Sequence, residues 1–169
     1  MNDTVRDKLA IREMLTRYCR AVDRCDLELL KSVYWPEASD DHIVFVGNAL
    51  EFADFVIPLL KEHTECTQHL IGNIWIQLRG DAACSETYVQ AYHRLPRQGG
   101  NVFVGGRYLD RLERRNGEWR IAERKFVMDW EQNGAALLGG EENVRRLLSV
   151  DTRQCAEDSY RLFAAGTMK

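Results

Sequence analysis

The sequence predicts an α+β domain in which helices gather on one side of an antiparallel meander. Three observations carry that reading. An apolar stripe of helical period runs through the N-terminal segment, the period changes near residue 67 to the alternation of long strands, and Asn116-Gly117 stands between two such runs. Asn-Gly flanked by alternating residues is the strongest short-range hairpin signal in the chain.

Taken in order, residues Thr4 to Val22 read as a helix with Thr4 as N-cap, because Ile11, Leu15, Tyr18 and Val22 recur on one face. Asp26 caps a second short helix, Leu27 to Tyr34, which Pro36 stops. The aliphatic run His42 to Val46 reads as a short strand with Gly47-Asn48 as its turn, and Glu51 to His63 as a helix that must accommodate Pro58. Four long β-rich runs follow: Thr67–Arg79, Ala83–Leu95, Val102–Arg114 and Glu118–Trp130. They are punctuated by Gly80-Asp81, Gln98-Gly99-Gly100 and Asn116-Gly117. From Glu141 onward a helical tail is expected, with Asp151 as a cap. No repeat or linker divides the chain, so residues 1–169 are expected to be one domain, its core spanning about 4–131 and a helical tail 132–169.

Composition narrows the function classes. With 169 residues, 45% apolar and 29% charged, the chain can bury a core of its own. A net charge of −3 offers no basic footprint for nucleic acid, and no apolar run reaches the length of a membrane span. The N-terminus lacks the layout of a signal peptide, and five cysteines (Cys19, Cys25, Cys66, Cys84, Cys155) make no CxxC pair or zinc spacing. Free thiols and a cytoplasmic location are the expectation. There is no dinucleotide fingerprint or Walker loop, and no cofactor or metal is expected.

Strand alternation selects the side chains that face inward. Val89, Ala91 and His93 share one face of the second long strand, and Arg124, Phe126, Met128 and Trp130 share one face of the last. The first long strand is mixed, with His69, Ile71, Asn73 and Trp75 on one parity and Ile74, Ile76 and Leu78 on the other. A bulge near Gly72-Asn73 would let His69 and the later aliphatics point the same way. His42 and His63 read as surface or turn residues without a role.

The run Tyr18-Cys-Arg-Ala-Val-Asp23-Arg-Cys-Asp26, the later Thr67-Gln-His69-Leu-Ile-Gly-Asn73, the hairpin Glu113-Arg-Arg-Asn-Gly-Glu-Trp119 and the strand Trp119-Arg-Ile-Ala-Glu-Arg124 resemble, in that order, the SnoaL-like proteins of the nuclear-transport-factor-two-like fold. Scytalone dehydratase, lindane dehydrochlorinase and bile acid 7α-dehydratase are enzymes of that group. The resemblance implies a cystatin-like α+β barrel: a cone-shaped, strongly curved sheet wrapped around the N-terminal helices, with a pocket at the wide end. It also implies a pairing of Asp23 with His69, an arginine on the last strand at Arg124, a tyrosine at Tyr18 and a second pocket histidine near His93. The dehydrochlorinase carries a lysine where this chain has Tyr18, so its substrate does not carry over.

Those residue types suit an elimination. A histidine supplies a base near neutral pH, and a carboxylate on its other nitrogen fixes the tautomer and stabilises the imidazolium. Tyr18 or Arg124 would bind the departing oxygen or halide, and Val89, Tyr108, Phe126, Met128 and Trp130 would form an apolar surround, with His93 helping to orient the substrate. Each residue also has a structural reading: Asp23 as a turn former with Asp26, Tyr18 as packing, Arg124 as the ion-pair partner of Glu86 or Asp110. The function expected is a cofactor-independent lyase performing dehydration, dehydrohalogenation or deformylation on a small hydrophobic aromatic or alicyclic compound. A ketosteroid-isomerase-type isomerase, the non-catalytic β subunit of a ring-hydroxylating dioxygenase and a ligand-binding domain are the alternatives. Because both parities of Leu70 to Leu78 are apolar, one set lies outside the cone, and a homo-oligomer, a trimer, is expected.

Overall fold

A computed structural model describes residues 3–96, 100–132 and 161. The expected tail helices and Asp151 cap, and the Gln98-Gly99 part of one turn, lie outside the described residues. The remainder is α+β, with three helices against one curved, unclosed six-stranded sheet.

Helix α1, Asp3–Asp23, buries Ile11, Met14, Leu15, Tyr18, Cys19, Ala21 and Val22 along one stripe. Each such aliphatic side chain, fully buried, contributes about 1.5–3 kcal/mol. The helix is already formed at Asp3, so Thr4 lies inside it rather than capping it. It ends where Cys25 turns left-handed, at φ 48°, and the Asp26 amide donates to Ala21 O at 2.8 Å. Asp26 then caps α2, Leu27–Ser32, its carboxylate accepting from the Leu29 amide at 3.0 Å.

Helix α2 stops two residues short of the predicted end because Tyr34 opens a strand. Strand β1, Tyr34–Asp41, runs parallel to the last strand of the sheet. Pro36 does not end a helix; it sits in β1 between Tyr34 and Ser39, where the register shifts and the ladder makes no demand on its missing N–H. The strand expected over His42–Val46 is therefore displaced. Those residues form most of a tight connection into β2, Val46–Asn48, closed by the His42 amide on Phe45 O (2.9 Å) and the Val44 amide on His42 O (2.6 Å). Asn48 caps α3, Ala49–His63, accepting from the amides of Leu50 and Glu51. Pro58 is tolerated within α3 on its solvent-facing side, where the carbonyl it frees can meet water.

The meander follows as predicted: β3 (Cys66–Arg79), β4 (Ala82–Arg94), β5 (Asn101–Arg115) and β6 (Glu118–Gln132). Asn116 and Gly117 both take positive φ, 52° and 82°, as a two-residue hairpin turn of this hand requires. The sheet order is β2-β1-β6-β5-β4-β3. The register of β3 shifts between Ile71 and Ile74, the site of the expected bulge, and His69, Ile71, Ile74 and Ile76 all turn toward the helices.

Two further shifts in the β5–β6 pairing were not anticipated. One lies between Arg111 and Leu112, the other between Gly105 and Gly106. The second pairs Gly106 with Met128 but Gly105 with Trp130, so Asp129 is the extra residue. Beyond it the alternation is inverted: Glu131, not Trp130, turns inward, and Trp130 is 44% exposed on the outer face. Gly105 makes this possible, since a Cβ there would lie 2.0 Å from the Trp130 ring. Among the described residues no helix is long and apolar enough to cross a membrane.

Candidate functional site

The concave face of the sheet, closed by α1 and α3, encloses an apolar cavity. Tyr18 and Val22 reach it from α1, Phe52, Phe55 and Leu59 from α3, His69 from β3, and Val89, Ala91 and His93 from β4. Tyr108 from β5 and Phe126, Met128 and Glu131 from β6 complete the wall. Of the residues selected from sequence, Tyr18, His69, His93, Val89, Tyr108, Phe126 and Met128 meet at this cavity. Trp130 does not, for the bulge at Asp129 turns it outward.

Asp23 is the last residue of α1, and it reaches across to β3. Its Oδ1 lies 2.7 Å from His69 Nδ1, and both carboxylate oxygens accept from the His69 amide at 3.0 Å. The bond to the ring places the Nδ1 proton, and the bonds to the amide hold the carboxylate still, so Nε2 is the ring atom left for the cavity. The His69 ring meets His93 edge-on at 5.5 Å. Burial, reinforced by repulsion from His69, pushes His93 down to about 3, and its Nδ1 finds no hydrogen-bond partner among the described residues. His93 is thus a neutral, partly unsatisfied group in an apolar wall.

Arg124 occupies a different place from the one its expected role requires. Its side chain is wholly buried, with Nε and Nη2 donating to the two oxygens of Asp110 at 2.7 and 2.9 Å. The guanidinium lies 4.0 Å from the Tyr18 ring centroid and 4.1 Å from that of Tyr108. It is absent from the cavity lining, so it supports the two tyrosines rather than meeting a ligand. Burial raises the Tyr18 phenol above its ordinary value, with Arg124 pulling the other way, and Tyr18 stays a donor at neutral pH. Thiolate chemistry is disfavoured at Cys19, Cys25 and Cys84: burial pushes Cys19 up to about 12 and raises the other two as well.

A second aspartate–histidine pair was not foreseen. His42, read from sequence as a surface or turn residue, lies in the cavity wall, stacked between Phe52 and Phe126 at 4.4 and 5.5 Å. Its Nδ1 meets Asp40 Oδ1, and its Nε2 lies 3.3 Å from the Tyr18 hydroxyl. Asp40 is completely buried, and its other oxygen accepts from Tyr34 Oη at 2.6 Å. The next residue, Ile43, holds φ at 67°, a position costing a β-branched residue about 1–3 kcal/mol. One signal was present in the sequence: Asp40 and His42, spaced i, i+2, share a face if the strand precedes them instead of beginning with them. Among the described residues no three His, Cys, Asp or Glu side chains converge as metal ligands.

Comparison with known proteins agrees with this architecture. The model of the SnoaL-like domain matches residues 3–125. No curated protein matches the sequence. Among solved structures, a candidate scytalone dehydratase from Novosphingobium aromaticivorans is similar at a TM-score of 0.73 and 18% identity, covering 80% of this chain and 93% of that one. A hexachlorocyclohexane dehydrochlorinase, LinA type 2, gives 0.69 and 20%, over 79% and 92% of the two chains. A LinA type 3 from Novosphingobium barchaimii gives 0.67 and 18%, over 77% and 91%. At these identities the likeness is one of fold.

Proposed function

The chain belongs to the SnoaL-like family, and from that premise we propose that it is a cofactor-independent lyase acting on a small, largely hydrophobic aromatic or alicyclic compound. The observation that carries the reading is the orientation of His69 by Asp23 at the wall of an apolar cavity. With Nδ1 bound to the carboxylate, Nε2 removes a proton from substrate carbon, and the imidazolium that forms is stabilised in place. Tyr18, a protonated phenol in the same wall, donates to the departing atom or to a developing enolate. The apolar lining excludes water and selects ring-shaped ligands over sugars and charged metabolites.

An isomerase working through an aspartate base fits less well, because Asp23 and Asp40 both spend an oxygen on a histidine. A non-catalytic subunit has no use for a dyad presented to an apolar cavity. The test is a panel of benzylic and allylic alcohols and halides, with His69→Ala and Asp23→Asn as controls. Turnover by the unmodified chain that falls about 10²–10⁴-fold in both variants supports the lyase. Full activity in either variant ends the role of the dyad, and turnover only of phosphorylated or polyhydroxylated compounds ends the apolar-substrate reading.

A further inference from the structure

Elimination of water differs from elimination of halide in one demand. Hydroxide is a poor leaving group and must be protonated as it departs, whereas chloride leaves unaided. One Asp–His pair supplies a base; a second pair, joined to a tyrosine, answers the other demand. Asp40, His42 and Tyr18 form a continuous chain of donors and acceptors ending at the cavity, with Tyr34 fixing the far carboxylate oxygen. Packing alone does not call for it. A histidine stacked between Phe52 and Phe126, on a buried carboxylate and beside a strained Ile43, is a costly way to fill space that an apolar side chain would fill.

We propose that His42, oriented by Asp40, delivers through the Tyr18 hydroxyl the proton that converts the substrate's departing group to water, so that the leaving group is a hydroxyl rather than a halide. The inference rests on the lyase reading of the same cavity. In the acting state His42 carries both ring protons, its charge matched by Asp40. His69 Nε2 takes the proton from carbon, and the C–H electron pair becomes the new C=C bond. The C–O bond breaks with its pair on oxygen, which takes the Tyr18 proton and leaves as water, while His42 Nε2 passes its proton to the Tyr18 oxygen. His69 ends protonated and His42 neutral; proton exchange with solvent restores both. His42 acts through Tyr18 and is a positioning and relay residue.

The experiment uses 3-hydroxyindan-1-one and 3-chloroindan-1-one, which lose water or hydrogen chloride to give the same indenone. The measured quantity is the ratio of hydroxyl to chloride turnover in the full chain, corrected for the uncatalysed reaction. The expected result is a ratio lowered about 10²-fold in His42→Gln and in Tyr18→Phe, no further in the double variant, and held in His69→Ala, where both reactions fall together. A merely structural role for His42 would lower both reactions equally and leave the ratio where it was, which overturns the relay and spares the lyase. Additive effects of His42→Gln and Tyr18→Phe overturn it too. Indenone from neither compound with the unmodified chain removes the lyase reading for this substrate class and the relay with it. If His42→Gln does not fold, Asp40→Asn and Tyr18→Phe carry the same comparison.

Discussion

Arg124 and Tyr18 are in face-on contact, the guanidinium 4.0 Å from the ring centroid, while the same guanidinium is held on its edge by both oxygens of Asp110. The arginine therefore sets the position of a cavity residue without being one. Arg124→Met leaves Asp110 as a buried carboxylate without its cation, and the expected cost is about 3–5 kcal/mol. Thermal unfolding checks this. Adding Asp110→Asn should recover much of the loss, because it removes the orphaned charge. If Arg124→Met keeps its melting temperature and loses only kcat, Arg124 acts on the substrate directly.

His93 predicts an acid sensitivity. In the folded chain its pKa is depressed to about 3, against an ordinary value near 6.5 once unfolded. Below 6.5 the unfolded chain takes up a proton that the folded chain refuses, so stability is full above that value and falls progressively toward pH 3. Urea midpoints at pH 7 and pH 4.5 should lie closer together for His93→Leu than for the unmodified chain. An equal or wider gap in the variant would contradict the assignment.

Gly105 and Gly106 are adjacent on β5 but guard opposite faces, and they should respond differently to alanine. A Cβ on Gly105 meets the Trp130 ring, a half-exposed side chain that can swing aside. A Cβ on Gly106 comes 2.2 Å from the Val127 carbonyl oxygen and 2.8 Å from the Phe126 ring. Backbone cannot yield without loosening the β5–β6 pairing, so Gly106→Ala should cost more than the usual overpacking penalty of about 1–3 kcal/mol and Gly105→Ala less. Paired melting curves give the order; the reverse order would mean that Trp130 is the more rigid neighbour.

The outer face of the sheet carries Leu70 (63% exposed), Trp75 (68%), Tyr88, Phe103 and Trp130. So much apolar surface on one face is expected to close against further copies of the chain, as a trimer. Light scattering should give a mass near three times 19.6 kDa, and the double change Leu70→Asp with Trp75→Arg should reduce it toward a single chain. A monomer across the concentration range refutes the expectation.

The legible parts of the fold are those in which local pattern and tertiary role agree. The four long strands and α1 lie within one or two residues of the pattern, because alternation and helical period are set by burial itself. The β3 bulge was legible for a reason peculiar to it: His69 and the later aliphatics Ile74, Ile76 and Leu78 stood on opposite parities, and only a register shift could turn both inward. The β6 bulges left no such mark, since Arg124, Phe126, Met128 and Trp130 keep one unbroken parity in the sequence, and Trp130 was placed on the wrong face as a result. Strand β1 was hidden because its inward positions include Asp40, and a buried carboxylate reads as a turn until its partners are known. The contact of Asp23 with His69, 46 residues apart, followed from family resemblance and from no spacing rule.

The bulge at Asp129 also governs how β6 can change in length. It places two consecutive residues, Asp129 and Trp130, on the outer face, so removing one of them restores plain alternation and keeps Phe126, Met128 and Glu131 pointing where they do now. The same deletion two positions earlier would swap every following side chain between cavity and exterior. Loss of the Asp129 ion pair with Arg107 would be the local toll. Descendants of this chain can therefore shed a residue at 129 and retain their cavity lining, whereas an indel at 127 hands selection a new cavity wall in a single step.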